Sequence, residues 1–109
     1  MGMERTIVFA EATPAWTAIR ENLVAAGYLP QMRMIDNMPA FPDEIPEDNW
    51  SDLRVSLGTG MVTVRRGPNR LTVIVWGNAD EVLQRDQDAI AQACASAGNG
   101  TLLSIFGTT

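Results

Sequence analysis

The sequence contains no histidine and a single cysteine, Cys94, among its 109 residues. Without histidine, the chain lacks the commonest general base, the usual catalytic triads and the ligand found in most zinc sites. A lone cysteine cannot form an internal disulfide, which fits a reducing compartment, so we expect a cytoplasmic protein. These absences predict no catalytic residue, no metal site and no cofactor.

The chain also lacks a basic surface and a long hydrophobic run. Thirteen acidic residues outnumber eight arginines, which gives a formal net charge of −5. Nucleic acids and acidic membranes bind basic surfaces, so this charge argues against both partners. No apolar stretch is long enough to span a bilayer, and no signal peptide is visible. The length predicts a single domain over residues 1–109.

The stretch Leu71–Trp76 is apolar at every position except Thr72, and it is rich in β-branched residues. A strand that is apolar on both faces is usually interior and covered on both sides. We therefore expect this strand in the middle of a sheet. Its second face needs cover from the acidic segment described below, from Trp50, or from a second copy of the chain.

A helix is predicted to follow this strand. Gly77 ends the strand, Asn78 has the character of a helix N-cap, and Glu81 stands three residues later, as in a capping box. Gly98 fits the left-handed position that closes a helix. Between them, apolar residues recur at helical spacing: Val82, Leu83, Ile90, Ala93, Cys94 and Ala97.

An earlier helix is predicted over Pro14–Ala26. Thr13 has the character of its N-cap, and proline is favoured at the first helical position. Gly27 closes this helix, and Tyr28 is placed to contact Leu23, as in a Schellman end.

The remaining alternating or β-branched stretches predict further strands, and together they give the order β-α-β-β-β-β-α-β. We expect an α+β fold with an antiparallel-dominated sheet, two helices on one face, and a ferredoxin-like βαββαβ pattern with an added strand or two. Residues 107–109 are predicted to be a flexible tail. The further strands are Arg5–Ala10, Leu29–Ile35, Leu53–Leu57, Met61–Arg66 and Thr101–Phe106.

Residues Asp36–Asn49, the acidic loop, carry three prolines and a high density of carboxylates. We expect a long irregular loop that Met38, Phe41 and Ile45 pin to the domain. Long structureless loops in compact domains are often functional, so this loop is a candidate site. The alternatives are a solvated loop, a calcium or magnesium site, and a surface for a basic partner. The candidate partner-binding residues are Asp43, Glu44, Glu47, Asp48 and Trp50.

A second candidate site depends on strand direction. In the ferredoxin-like arrangement the first strand and Leu71–Trp76 are neighbouring parallel strands, so we expect the helix N-termini that follow them to meet at one end of the sheet. Free N–H groups at such ends bind anions, although nearby carboxylates oppose an anion. The alternative is that Thr13 and Asn78 only cap their helices. The candidate ligand-binding residues are Thr13, Gly77, Asn78 and Glu81.

Three arginines, Arg65, Arg66 and Arg70, surround the predicted hairpin Gly67-Pro68-Asn69. They could grip a phosphate or carboxylate, or simply keep a hairpin tip soluble.

These patterns favour a non-enzymatic domain that binds a protein partner or associates with itself as a homodimer. The first alternative is a domain that binds a small anionic ligand at the helix N-termini. The second is an enzyme that uses carboxylates, with or without a divalent metal.

Overall fold

The computed structural model describes residues 3–58, 60–76 and 80–103, which form seven strands and two helices. In chain order these are β1 (Met3–Val8), α1 (Trp16–Ala25), β2 (Gln31–Ile35), β3 (Met38–Pro39), β4 (Asp52–Ser56), β5 (Met61–Gly67), β6 (Arg70–Val75), α2 (Glu81–Gly98) and β7 (Thr101–Leu102). Of the strand predicted over Thr101–Phe106, residues 104–106 lie outside the described ranges, as does the predicted tail.

The strands form one antiparallel sheet in the order β3-β2-β4-β5-β6-β1-β7, and both helices pack on the same face. This confirms the α+β class and the helices on one face, whereas the ferredoxin-like order is not shown. β6 lies between β5 and β1, so its predicted interior position is confirmed. Within the described ranges, no helix has the length and apolar character needed to cross a membrane.

The predicted direction of β6 relative to β1 is wrong. The two strands are neighbours, but Met3 pairs with Val75 and Val8 pairs with Arg70, so they run antiparallel. A chain that builds a sheet through short hairpins reverses its direction at each strand. Because β4, β5 and β6 form such a meander and β1 pairs antiparallel with β6, the exits of β1 and β6 lie at opposite ends of the sheet.

Helix α1 begins two residues later than predicted. Its N-cap is Ala15, in extended conformation and without a side-chain cap hydrogen bond, so the prediction that Thr13 caps the helix is wrong. Pro14 is buried in the preceding extended segment, where its Cδ would lie 3.1 Å from a Cβ added at Gly98. Packing against the end of α2 thus keeps Pro14 out of the helix.

The C-terminal end of α1 is the Schellman motif that the sequence predicts. The N–H of Tyr28 donates to the carbonyl of Leu23 at 2.9 Å, and the N–H of Gly27 donates to that of Val24 at 3.0 Å. Gly27 has φ +97°, a conformation that side chains with a Cβ rarely adopt.

Helix α2 is capped by Asp80 and not by Asn78. The Asp80 carboxylate accepts a hydrogen bond from the N–H of Leu83 at 2.9 Å, which satisfies one free donor of the first turn. Aspartate and asparagine are equally good caps, so the local sequence is compatible with either residue, and the prediction of Asn78 as the cap is wrong. Gly77 and Asn78 themselves lie outside the described residues.

At the other end of α2, the left-handed residue is Asn99, with φ +54°, and Gly98 is the last residue of the helix. The prediction that Gly98 takes the left-handed position is therefore wrong. Glycine is required there for space, because an added Cβ would lie 2.9 Å from the ring of Phe9. Asn99 tolerates the left-handed conformation better than most residues that carry a Cβ.

The core lies between the helices and the inner face of the sheet, and it includes two notable polar or reactive groups. Gln87 of α2 is buried, and its amide donates to the carbonyls of Met3 and Val73 at 3.0 Å each, which ties the helix to β1 and β6. Cys94 is also buried, and desolvation raises the pKa of its thiol to about 12. A buried thiol with so high a pKa is inert towards nucleophilic chemistry.

Candidate functional site

The first part of the acidic loop is more regular than predicted. Asp36 and Asn37, with φ +50° and +68°, form the two-residue turn that joins β2 to β3. Positive φ at both central residues is typical of the tight hairpin turns that match strand twist. The irregular part of the loop begins at Ala40, whose N–H donates to the carbonyl of Arg33 in β2 at 3.0 Å.

The Asp36 carboxylate closes the acidic loop at its base. Its Oδ1 accepts hydrogen bonds from the N–H groups of Ser51 and Asp52 at 2.8 and 2.9 Å. The N–H of Asp36 in turn donates to the carbonyl of Asp52 at 2.7 Å. Residues on both sides of the loop are therefore held together where it joins the sheet.

Hydrogen bonds also order the interior of the loop. The N–H of Phe41 donates to Oε1 of Glu44 at 3.1 Å, and the N–H of Glu44 donates to the carbonyl of Phe41 at 3.0 Å. Further along, the N–H of Trp50 donates to the carbonyl of Glu47 at 3.1 Å. The loop thus has a defined shape despite its lack of regular secondary structure.

The large apolar side chains of the acidic loop point to solvent. Met38, Phe41 and Ile45 are 67%, 76% and 63% exposed, so the prediction that they pin the loop to the domain is wrong. Pro46 and Trp50 are buried instead and anchor the segment. A loop of this length needs only a few buried contacts, and these two residues leave the other apolar side chains free.

Trp50 was predicted as a partner-binding residue, but it is 1% exposed and belongs to the core. The Arg66 guanidinium carbon lies 4.3 Å from the centroid of its ring, in cation–π contact. The N–H of Arg66 donates to the carbonyl of Ser51 at 2.9 Å, which brings the end of the loop alongside β5. Trp50 therefore anchors the C-terminal end of the acidic loop in the core.

The three arginines of the β5–β6 hairpin do not form one cluster. Arg65 forms an ion pair with Asp52 at 3.1 Å, whereas the next residue, Arg66, stacks on Trp50. Adjacent residues of a strand point to opposite faces of the sheet, which separates the two side chains. Arg70 is exposed on β6. Sequence reasoning missed the pairing of Arg66 with Trp50, because nothing local connects residues so far apart in the chain.

Two surface depressions lie near the Trp50–Arg66 pair. The first has a volume of about 320 Å³ and is lined by loop residues and the end of β2: Ile35, Asp36, Glu44, Ile45, Pro46, Glu47, Asn49 and Trp50. The second, of about 340 Å³, is lined by Ala12, Thr13, Pro14, Ala15, Asp48 and Arg66. The structure thus brings Thr13, from one predicted site, together with Asp48 from the other.

The predicted anion site at the two helix N-termini is not assembled by the described residues. Thr13 follows β1 at the end of the sheet where β6 begins, because Val8 pairs with Arg70. Glu81 begins α2 at the opposite end, beyond Val75. The antiparallel direction of β1 and β6 separates the two helix N-termini by the length of the strands.

The face of the sheet opposite the helices carries a mixed surface. Cross-strand pairing places Glu4, Ile74, Thr63, Arg54 and Met34 in one row over five strands. Ile74 is buried within this row but is not part of the main core cluster. We call this surface the outer face of the sheet.

Trp76 directly follows β6 and is 55% exposed, and Met61 at the start of β5 is 48% exposed. Of the three alternatives for covering the second face of β6, Trp50 is excluded, because it belongs to the core cluster that includes residues of both helices. On the outer side of β6, Ile74 is buried, so the exposed apolar side chains of this region are Trp76 and Met61.

The acidic loop presents carboxylates and apolar side chains to solvent. Among the described residues, no three histidine, cysteine or acidic side chains lie close enough together to hold a metal ion. The carboxylates of Asp43, Glu44, Glu47 and Asp48 are all exposed, beside exposed apolar side chains. This combination attracts a basic surface and offers it hydrophobic contacts.

Comparison of the chain with protein-family models, with curated proteins and with solved structures finds no match. The geometry of the chain's own surface therefore carries the functional inference.

Proposed function

We propose that this chain is a non-enzymatic protein-interaction module that docks a partner through the acidic loop. The observation that carries the proposal is the exposure of Phe41 and Ile45, 76% and 63%, on a loop whose shape is held by hydrogen bonds. Scattered exposed apolar residues are ordinary, but a cluster of them on one segment marks an interaction surface.

The energetics favour such a role. Burying a large apolar side chain against a partner contributes about 1.5–3 kcal/mol, so Phe41 and Ile45 can anchor a complex. Flexible loops lose part of this gain, because binding must order their side chains and backbone. The Asp36 and Glu44 hydrogen bonds order this loop before binding, which keeps that cost low.

The partner is expected to have a basic surface with an apolar pocket. The exposed carboxylates Asp43, Glu44, Glu47 and Asp48 lie next to the apolar anchors in the sequence of the loop, and the whole chain carries a net charge of −5. Complementary charge accelerates encounter and selects the partner, and salt weakens both effects. Binding should therefore weaken as ionic strength rises.

The test compares the loss of an exposed apolar side chain inside the loop with the loss of one outside it, against one purified partner. A protein recovered with the chain is purified, and its affinity is measured by calorimetry for the wild type, Phe41→Ser and Val24→Ser. We expect Phe41→Ser to weaken binding about tenfold or more, as for an interface hot spot. Val24, which is 44% exposed on α1, provides the control and should leave the affinity unchanged. Equal affinities for all three chains would overturn the proposal.

A second candidate is self-association through the outer face of the sheet. It is favoured by the exposure of two large apolar side chains on that face, Trp76 and Met61. Sedimentation velocity over a wide concentration range should then show a dimer that Trp76→Ser dissociates and Phe41→Ser does not. A monomer at every concentration would remove this candidate and leave the loop as the docking surface.

A further inference from the structure

We infer that two copies of this chain pack through their outer faces about a two-fold axis that runs along the strands, between β5 and β6. In this arrangement Glu4 of each copy faces Arg54 of the other. The inference rests on the second candidate function, self-association through the outer face, and it states which side chains meet across the interface.

Glu4 and Arg54 lie in one row of the outer face, on β1 and β4. Ile74 of β6 and Thr63 of β5 stand between them. Neighbouring strands lie about 4.8 Å apart, so the backbones of Glu4 and Arg54 are separated by about 14 Å along the row. The two opposite charges therefore sit on either side of the row's centre, too far apart to pair comfortably within one chain.

Both charges are available to a second chain. Glu4 is exposed and Arg54 is partly exposed, and both lie outside the ion pairs formed within the described ranges. The Arg54 guanidinium instead donates from Nη1 to Sδ of Met34 at 3.8 Å. A thioether sulfur is a weak acceptor, so a carboxylate from a second copy would be a much stronger partner.

The charges select one symmetry axis. Two copies that pack the same face together are related by a two-fold axis in the plane between them, and every contact then occurs twice. An axis along the strands, midway between β5 and β6, brings Glu4 of one copy over Arg54 of the other. An axis along the row instead opposes Glu4 to Glu4 and Arg54 to Arg54, and like charges across an interface are unfavourable.

The same axis also matches the exposed apolar side chains. Continuing the register of Thr63 with Ile74 by two residues brings Met61 beside Trp76, and these side chains are 48% and 55% exposed. The axis between β5 and β6 sets Trp76 of one copy over Met61 of the other. Burial removes both from water, and methionine sulfur makes favourable contacts with aromatic rings.

The next row of the outer face is compatible with this axis. Cross-strand pairing orders it as Thr6, Thr72, Arg65 and Asp52, and Arg65 and Asp52 already form an ion pair within the chain. The axis sets Arg65 over Thr72 and Asp52 over Thr6 of the second copy. No like charges meet in this row, so one operation suits both rows.

The test measures dimer dissociation constants by sedimentation equilibrium for the wild type, Glu4→Arg and Arg54→Glu. We expect each reversal to weaken the dimer about tenfold or more, because it opposes like charges in both symmetry-related pairs. An equimolar mixture of the two variants should recover near wild-type affinity as a heterodimer, because one chain is then positive at both positions and the other negative at both. Glu21→Arg, an exposed reversal on α1, is the control and should leave the constant unchanged.

A dimer that neither reversal weakens would overturn the inference, and if Trp76→Ser dissociates that dimer, self-association itself stands. A mixture that stays monomeric, although both variants show native circular dichroism, would also overturn it. If the wild type is a monomer at every concentration, self-association and this inference fail together. Docking through the acidic loop is then unaffected, because its own measurement is the affinity of Phe41→Ser for a partner.

Discussion

The guanidinium carbon of Arg66 lies 4.3 Å from the centroid of the Trp50 ring, directly over the side chain that anchors the acidic loop. Trp50 is buried in the core, whereas Arg66 is only partly buried at the end of β5. This contact joins the loop to the sheet, and it lies between the two depressions of the candidate site.

The Trp50–Arg66 contact should be measurable as a coupling energy. In urea unfolding of the wild type, Arg66→Met, Trp50→Leu and the double variant, we expect a favourable coupling of about 0.5–2 kcal/mol, as for a cation–π pair that is partly shielded from water. Arg70→Met changes an exposed arginine on the same hairpin and should alter stability by less than about 0.5 kcal/mol. Additive effects of the two single substitutions would contradict the contact.

The Asp36 carboxylate should determine how firmly the base of the loop is closed. Asp36→Ala removes the acceptor for the N–H groups of Ser51 and Asp52, so we expect a loss of about 1 kcal/mol in unfolding free energy. Hydrogen exchange at those two amides should accelerate more than at other amides of β4. Asp43→Ala, an exposed carboxylate in the same loop, is the control. Unchanged protection of Ser51 and Asp52 would show that the carboxylate does not hold the loop.

The N-cap of α2 offers a direct comparison of two candidates. Asp80→Ala should lower the free energy of unfolding by about 1 kcal/mol, because it removes the acceptor for the Leu83 N–H. Asp80→Asn should retain most of the stability, since asparagine is an equally good cap. Thermal or denaturant unfolding gives both values. A greater loss in Asn78→Ala than in Asp80→Ala would assign the cap to Asn78 instead.

Burial of Cys94 should make stability fall at alkaline pH. The pKa of its thiol is raised from 9.0 to about 12 in the folded chain, so the unfolded state loses its proton first. The contribution is fully present below pH 9 and is lost as the pH rises towards 12, at up to about 1.4 kcal/mol per unit. Urea unfolding of the wild type and Cys94→Ala from pH 8 to 10.5 should show a steeper decline for the wild type. Parallel pH profiles would indicate that the thiol is not desolvated.

Much of the secondary structure follows from signals within a few residues of the chain. Gly27 and Tyr28 specify the end of α1, because only local backbone groups form a Schellman motif. The Pro68-Asn69 turn was likewise predicted from the residues that favour turns. The interior position of β6 was predicted because both faces of the strand carry apolar residues.

The sequence alone did not show which of several suitable residues caps each helix. Thr13 and Asn78 are both good caps in isolation, but the helices begin after Ala15 and Asp80. Packing of Pro14 beside Gly98 keeps the chain extended at the start of α1, and that contact joins the start of α1 to the end of α2. Local propensity is a weak preference that such tertiary contacts override.

The sequence by itself determined the α+β class, the helices and their faces, and an acidic loop that carries apolar residues. Only the tertiary structure decided the direction of β1 against β6, the stacking of Arg66 on Trp50, and the exposure of Phe41. The Schellman end of α1 and the tight turns depend on neighbours within a few positions, so the chain encodes them locally. Strand direction, burial and the composition of a binding surface depend on residues far apart in sequence, which the complete fold alone brings into contact.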